Sequence, residues 1–158
     1  MTKASVGKIL KFVLLAVLVA AAVFFIINVI QYGKGAGDAA GDIAKAQMNS
    51  ALFQNLALAI AVLGIAVYLL LDILGMSKIG SFILVGAGIV AVVLLIVALS
   101  VAGPYLDQLK AAIDVPLTSV SSPAKAAYYG TIFTGISEAI VFGAAPIIYG
   151  LNKLLVKN

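Results

Sequence analysis

One carboxylate, Glu138, lies deep inside a long apolar stretch of this sequence, where no other ionisable side chain is found. A charged group in apolar surroundings is unfavourable unless it has a partner, and such a residue indicates a specific role. Glu138 would act either as an ion or proton site, or as a hydrogen-bond partner across helices or between subunits. Of these two interpretations, the hydrogen-bond partner is preferred.

The same stretch carries a ridge of small side chains that recur every four residues. Its members are Ala127, Thr131, Gly135, Ala139 and Gly143. Residues four apart share one helix face, and small side chains there allow two helices to approach closely. The ridge is therefore a candidate for helix packing and assembly, either within the chain or between subunits, and both alternatives remain open.

Lysines lie near both ends of the sequence. Five of them are candidates for contacts with lipid or nucleic-acid phosphates: Lys3, Lys8, Lys11, Lys153 and Lys157. Lysine acts as a point charge, and the chain has no arginine to make bidentate contacts. Non-specific contact with DNA or with anionic lipid is compatible with this pattern, whereas sequence-specific recognition is not expected.

Several residue types used in catalysis are missing, since the chain has no Cys, no His and no Trp. Without thiolates or imidazoles there is no zinc-thiolate site, no usual haem or copper ligand and no usual general base near neutral pH. Paired carboxylates and a Ser/His/Asp set are also missing. We therefore expect no catalytic residues, no cofactor and no metal site, and we do not expect an enzyme.

The elements that must position these residues are four bilayer-length apolar segments. Hydrophobic residues make up 64% of the chain and charged residues 10%, against about 25% charged residues in ordinary soluble domains. The predicted helices cover about 9–30, 51–71, 81–101 and 123–155, and about 20 residues suffice to span a bilayer. The sequence thus predicts an all-α fold in which four long hydrophobic, membrane-type helices form two tandem hairpins within one unit, residues 1–158.

Three connectors separate the predicted helices. Residues 31–50 form a polar, glycine-containing connector, in which the part from Asp42 to Ala46 could already begin the next helix. Residues 72–80 form a short turn in which Gly75 is expected to end a helix. Residues 104–125 are predicted to include a short amphipathic surface helix with Tyr105, Leu106, Leu109 and Ile113 on one face. Four spans place both termini on one side, and the excess of lysines there predicts that this side is cytoplasmic.

Two details are predicted for the fourth helix. Ser122 is expected to cap its N-terminus with Pro123 as the first helical residue, because serine accepts from free N–H groups and proline lacks one. Pro146 is expected to kink the helix, since its ring cannot continue the regular hydrogen-bond ladder.

The segment GISEAIVFGAAPIIYG, residues 135–150, resembles the carboxylate helix of rotary ATPase proteolipids. In that family a membrane carboxylate carries the proton or sodium ion. The resemblance implies that Glu138 would be the ion-carrying residue of an ion-translocating proteolipid or small channel.

The chain as a whole is similar in architecture to the highly hydrophobic coat proteins of spindle-shaped archaeal viruses. The likeness consists of four helices in hairpins, the lysine-bearing ends MTKASVGKILK and NKLLVKN, and the absence of Cys, His and Trp. It implies a homo-oligomeric major coat (capsid) protein that is inserted in the host membrane and later lines a helical or spindle-shaped virion. The lysine-bearing termini would then face the genome or a bounding surface.

Three functions from different classes therefore stand at this point. The preferred one is a structural, self-assembling coat protein whose partners are copies of itself, membrane lipid and non-specifically bound DNA. The second is an accessory subunit of a larger membrane complex, which would purify with fixed, unlike partners. The third is ion translocation through Glu138.

Overall fold

The computed structural model describes residues 2–114 and 118–156, and the regular structure within these ranges is entirely helical. The helices are α1 (Lys3–Asp38), α2 (Asp42–Ile73), α3 (Ser77–Val101), α4 (Gly103–Ile113), α5 (Thr118–Glu138) and α6 (Ala145–Leu155), with a π-helix at Ala139–Ala144 joining the last two. Among the described residues, four stretches are long and apolar enough to cross a membrane, namely α1, α2, α3 and Ser122–Leu155. The predicted all-α class is confirmed.

The long helices form two tandem antiparallel hairpins. In the first, α1 packs against α2, and Asn28 Nδ2 donates to Asn55 Oδ1 at 3.1 Å. In the second, α3 packs against the π-helix and α6. The hairpins join through α2 and α3, whose contact includes a 2.7 Å hydrogen bond from Ser50 Oγ to the Ala98 carbonyl. The core between them is built from small and branched side chains: Ala57, Ala61, Ala91 and Leu95.

The first two helices are longer than predicted, and residues 31–50 are not a connector. α1 continues to Asp38 and α2 already begins at Asp42, so only Ala39–Gly41 joins them. Packing between the helices explains the difference, because a Cβ on Gly33 would lie 3.5 Å from Leu52 Cδ1 and one on Gly35 would lie 3.3 Å from Met48 Sδ. Tertiary contacts of this kind stabilise helix where glycine alone would disfavour it.

The turn between α2 and α3 and the short helix α4 follow the sequence closely. Gly75 has a φ of 76°, and the Met76 N–H donates to the Leu71 carbonyl at 2.7 Å, the geometry of a glycine-terminated helix. In α4, the polar Asp107, Gln108 and Lys110 are exposed. The predicted apolar face is half-buried: Tyr105, Leu106, Leu109 and Ile113.

The start of the fourth long segment was predicted wrongly. α5 begins at Thr118, so Ser122 and Pro123 lie inside the helix rather than at its first turn. The sequence TSVSS offers several residues of capping type in a row, and the pattern does not select among them.

Pro146 is accommodated by a π-helix. The Ala145 N–H donates to the Ile140 carbonyl, five residues back, directly before the proline. Proline has no N–H to donate, and in a regular α-helix its ring clashes with the carbonyl four residues earlier. A turn of i→i+5 hydrogen bonds directly before the proline shifts the hydrogen-bond pattern and so accommodates the ring. Where a kink at Pro146 was predicted, the structure has a π-helical turn over Ala139–Ala144, directly before the proline.

An ion pair links the first hairpin near the α2–α3 turn. Lys11 Nζ lies 2.6 Å from Asp72 Oδ2, and the two side chains are 46% and 27% exposed. Because exposed pairs of this type contribute about 0–1 kcal/mol, we expect Lys11→Gln to lower the free energy of unfolding by less than about 1 kcal/mol. Unfolding in detergent micelles at low and high salt checks this expectation. A large loss, or one insensitive to salt, would contradict it.

Candidate functional site

Glu138, the carboxylate within the apolar stretch, is held by a single amide side chain. Gln54 Nε2, from α2, donates to both carboxylate oxygens of Glu138 at 2.9 Å each. Both residues are half-buried, so the pair lies in the contact between α2 and the end of α5. The structure thus places Glu138 in a hydrogen bond across helices of one chain.

A pair of hydrogen-bonded amide side chains, Asn28 and Asn55, lies next to the Gln54–Glu138 pair. Asn55, the residue after Gln54, accepts a hydrogen bond from Asn28 of α1 and donates to the Ala51 carbonyl at 2.8 Å. The two pairs together join α1, α2 and α5 at one level of the bundle. We refer to Asn28, Gln54, Asn55 and Glu138 as the polar layer.

The polar layer lies far from the end of the bundle that carries the Lys11–Asp72 ion pair. Gln54 is about 27 Å from Asp72 along α2, at roughly 1.5 Å per residue. Asn28 is similarly about 26 Å from Lys11 along α1. A hydrocarbon core is about 30 Å thick, and an ion pair belongs at its surface. The polar layer therefore lies near the opposite edge of the apolar region rather than at its centre.

A polar groove opens beside the layer on the side of α4. Its volume is about 380 Å³. Its lining residues are Gln54, Tyr105, Ala126, Ala127, Gly130, Thr131 and Thr134. In the other direction, towards Lys11 and Asp72, the layer is followed by the apolar core of Ala57, Ala61, Ala91 and Leu95. Gln54, the hydrogen-bond partner of Glu138, thus lines a polar groove on one side, and packed apolar side chains follow the layer on the other.

The small-residue ridge lies mainly against α3 of the same chain. A Cβ on Gly143 would meet Val92 Cγ2, and one on Gly135 would lie 3.3 Å from Leu99 Cδ1. Ala139 packs against the core cluster. Ala127 and Thr131, nearer the start of α5, are half-buried and line the polar groove.

The candidate phosphate-binding lysines are exposed where the structure describes them. Lys3 and Lys8 lie on the first part of α1, Lys11 pairs with Asp72, and Lys153 Nζ lies 5.6 Å from the centre of the Tyr149 ring. Lys157 lies outside the described residues. Within residues 2–114 and 118–156, no group of three or more acidic, His or Cys side chains is placed to hold a metal ion.

Gln54, Asn55 and Asn28 were not assigned a role from the sequence. The predicted helices 9–30 and 51–71 place all three near a helix end, where a single amide is an ordinary interfacial residue. A signal was present in the pair Gln54–Asn55, two adjacent amides followed by a long apolar run. Hydrogen bonds between polar side chains such as amides are a known means of joining membrane helices.

The comparisons with known proteins give no further assignment. The chain matches no protein-family model, no curated protein and no solved structure.

Proposed function

We propose that this chain is a structural, non-enzymatic membrane protein that self-assembles, most specifically a major coat (capsid) protein inserted in the host membrane before it forms a helical or spindle-shaped shell. In this proposal its partners are further copies of the chain, membrane lipid and DNA bound without sequence preference. The termini lie on one side, and the exposed Lys3 and Lys8 face the genome or a bounding surface.

The observation that carries the proposal is the uncovered surface of α1. This helix packs against α2, and only 6% of its most apolar stretch is buried within the chain. Phe24 is 69% exposed and Val17 is 59% exposed, whereas Ala22 on the opposite face is 1% exposed. Apolar surface of this extent must be covered by lipid or by other protein. A helix attached along one side only is well placed to contact a neighbouring copy.

The position of the polar layer supports a structural role over ion translocation. An ion path must cross the apolar region, and Glu138 instead lies near one edge with an apolar core beyond it. Its hydrogen bonds to Gln54 supply a partner that accounts for a carboxylate in this environment.

Electron microscopy of native material, released without harsh detergent, tests the proposal. We expect filaments, tubes or shells built mainly of this chain. Small discrete particles containing fixed, unlike subunits would overturn the proposal in favour of an accessory subunit. A uniform small oligomer that conducts ions in vesicles, and loses conduction on Glu138→Gln, would overturn it in favour of ion translocation.

Disulfide cross-linking tests whether α1 forms the contact between copies, because the chain has no cysteine of its own. We expect Phe24→Cys, on the exposed face, to form covalent dimers under mild oxidation in membranes. Ala22→Cys, on the face buried against α2, is the matched control and should remain monomeric. Equal dimer yields from both variants would contradict an α1 contact.

A further inference from the structure

A second groove, lined almost wholly by apolar side chains, lies between α1 and α6, with α2 and α3 at its base. Its volume is about 440 Å³, within the range of roughly 300–1,000 Å³ that is usual for small-molecule sites. Leu14 lies on the α1 wall, Val141 and Ala145 lie on the opposite wall, and Ile65 and Leu84 lie at the base. From Val141 to Tyr149 the groove extends about 12 Å along the helix axis, at roughly 1.5 Å per residue.

One end of this groove is polar. Tyr68 and Tyr149 both line it, their rings meet edge to face with centroids 5.7 Å apart, and the Tyr68 hydroxyl donates to the Tyr149 hydroxyl at 3.4 Å. This arrangement leaves the Tyr149 hydroxyl with a proton that it can donate to a further acceptor. Tyrosines at the end of an apolar groove are typical of the boundary between hydrocarbon and headgroups.

Charged side chains lie one helical turn beyond the groove on three of the helices that line it. Lys11 comes three residues before Leu14, Asp72 follows Tyr68 by four, and Lys153 follows Tyr149 by four. Residues at these spacings share a helix face, so each charged side chain lies on the same face as the groove residue one turn away. Asp72 is paired with Lys11, while Lys153 lies over the Tyr149 ring. The charge that remains at the mouth of the groove is positive.

We propose that this groove binds an anionic phospholipid. One acyl chain lies between Leu14 and Ala145, and the phosphate accepts from the Tyr149 hydroxyl and pairs with the Lys153 ammonium. The inference concerns a lipid site on the single chain and does not depend on self-assembly.

The positive charge at the mouth of the groove favours an anionic lipid over a second copy of the chain as the occupant. Copies inserted in the same orientation would bring their lysine-bearing ends together, so a neighbouring helix in the groove would place like charges side by side. An anionic headgroup is complementary to the same end. A basic side chain near the bilayer surface contributes roughly 1 kcal/mol to the binding of an anionic lipid.

Native mass spectrometry of protein taken from vesicles with equal phosphatidylglycerol and phosphatidylcholine tests the headgroup contact. We expect wild type to retain phosphatidylglycerol in preference to phosphatidylcholine. Lys153→Gln should lower this preference by about fivefold, the factor that corresponds to one such charge. Lys110→Gln, on the exposed face of α4 near the other end of the bundle, is the control and should leave it unchanged. Equal retention of the two lipids by wild type would overturn the proposal.

Filling the groove tests the acyl-chain contact from two walls. Ala145→Phe and Leu14→Phe should each reduce retained phosphatidylglycerol, whereas Val93→Phe, on the exposed face of α3, should not. Because the two variants lie on different helices, the test remains valid if one of them fails to fold. Unchanged retention in both would overturn the proposal. If Ala145→Phe instead separated oligomers into single chains while lipid stayed bound, a second copy would be the occupant and the lipid assignment would be wrong.

Discussion

Replacing Gly88 by alanine is expected to loosen the contact of α3 with the π-helix and α6, and to lower the free energy of unfolding by about 1–3 kcal/mol. A Cβ at this position would lie 2.9 Å from the Gly143 carbonyl oxygen and 2.7 Å from Ile147 Cγ1. The carbonyl belongs to the backbone and cannot rotate away as a flexible side chain can. The two helices must therefore separate or shift to admit one methyl group.

Gly86→Ala is the matched control, since it lies on the same helix two residues earlier. A Cβ there has nothing within 4 Å. Alanine favours helix over glycine by as much as about 1 kcal/mol, so this variant should be neutral or slightly stabilising. If Gly88→Ala lowers the free energy of unfolding and Gly86→Ala does not, the loss is due to packing and not to helix propensity.

Thermal unfolding in mild detergent, followed by circular dichroism, measures both variants. A Gly88→Ala midpoint equal to that of wild type would contradict the close approach of α3 and α6. Gly143→Ala should also destabilise, because its Cβ would meet Val92, and Gly130→Ala on α5 provides its control with open space around the Cβ.

The existence of the helices could be predicted, because long apolar runs interrupted by Gly-Pro and polar stretches determine where a chain can span a bilayer. The ends of the third and fourth segments at Val101 and Leu155 could be predicted as well, but the continuation of helix through most of residues 31–50 could not. The first part of α2 is polar enough to read as a connector, and its helical state depends on contacts such as Gly35 with Met48 that lie across the hairpin. A composition pattern contains no information about such contacts.

The packing of the small-residue ridge was only partly predictable. Its four-residue period shows that Gly135 and Gly143 share a face, and the sequence leaves open whether that face meets α3 or another subunit. Gly150, seven residues after Gly143, continues the same face and is buried against α3, where an added Cβ would lie 3.0 Å from the Ser81 carbonyl oxygen.

The partner of Glu138 was not predictable, because Gln54 is 84 positions away in sequence. Sequence reasoning identified the carboxylate by the cost of placing it in apolar surroundings, a local property. Its partner depends on how α2 and α5 are placed relative to each other, which is set by their packing against α3 and α4. The pairing therefore became visible only in three dimensions.

The Gln54–Glu138 pair should behave as an energetically coupled unit. Gln54→Leu is expected to lower the free energy of unfolding by about 1–3 kcal/mol, because it leaves the Glu138 carboxyl without its donor in apolar surroundings. Glu138→Leu should cost a similar amount by leaving the Gln54 amide unpaired. The double variant, with leucine at both positions, should lose less free energy of unfolding than the two single variants together. The reason is that two apolar side chains leave no polar group without a partner.

The size of the coupling separates this pair from an ordinary interhelical hydrogen bond. Such bonds in membrane proteins contribute about 0.6 kcal/mol on average and at most about 1.7 kcal/mol. Gln54 makes two contacts with one carboxyl group, so we expect a coupling at the upper end of this range, above 1 kcal/mol or so. The exposed Asn28–Asn55 pair is the internal comparison, and its double-mutant cycle should give a smaller value. Equal couplings would contradict a special role for Glu138 within the polar layer.

Glu138→Gln then separates stabilisation from ion transport. A glutamine can still accept a hydrogen bond from Gln54, so a structural role predicts assembly as in wild type and a change in stability below about 1 kcal/mol. An ion-carrying role also predicts intact assembly, but with loss of proton or sodium flux in vesicles, because an amide cannot bind and release the proton or ion as a carboxyl group can. The same variant therefore tests both roles. Since Glu138 lies near one edge of the apolar region with the alanine-rich core beyond it, we expect stability and assembly to persist and no flux to depend on this residue.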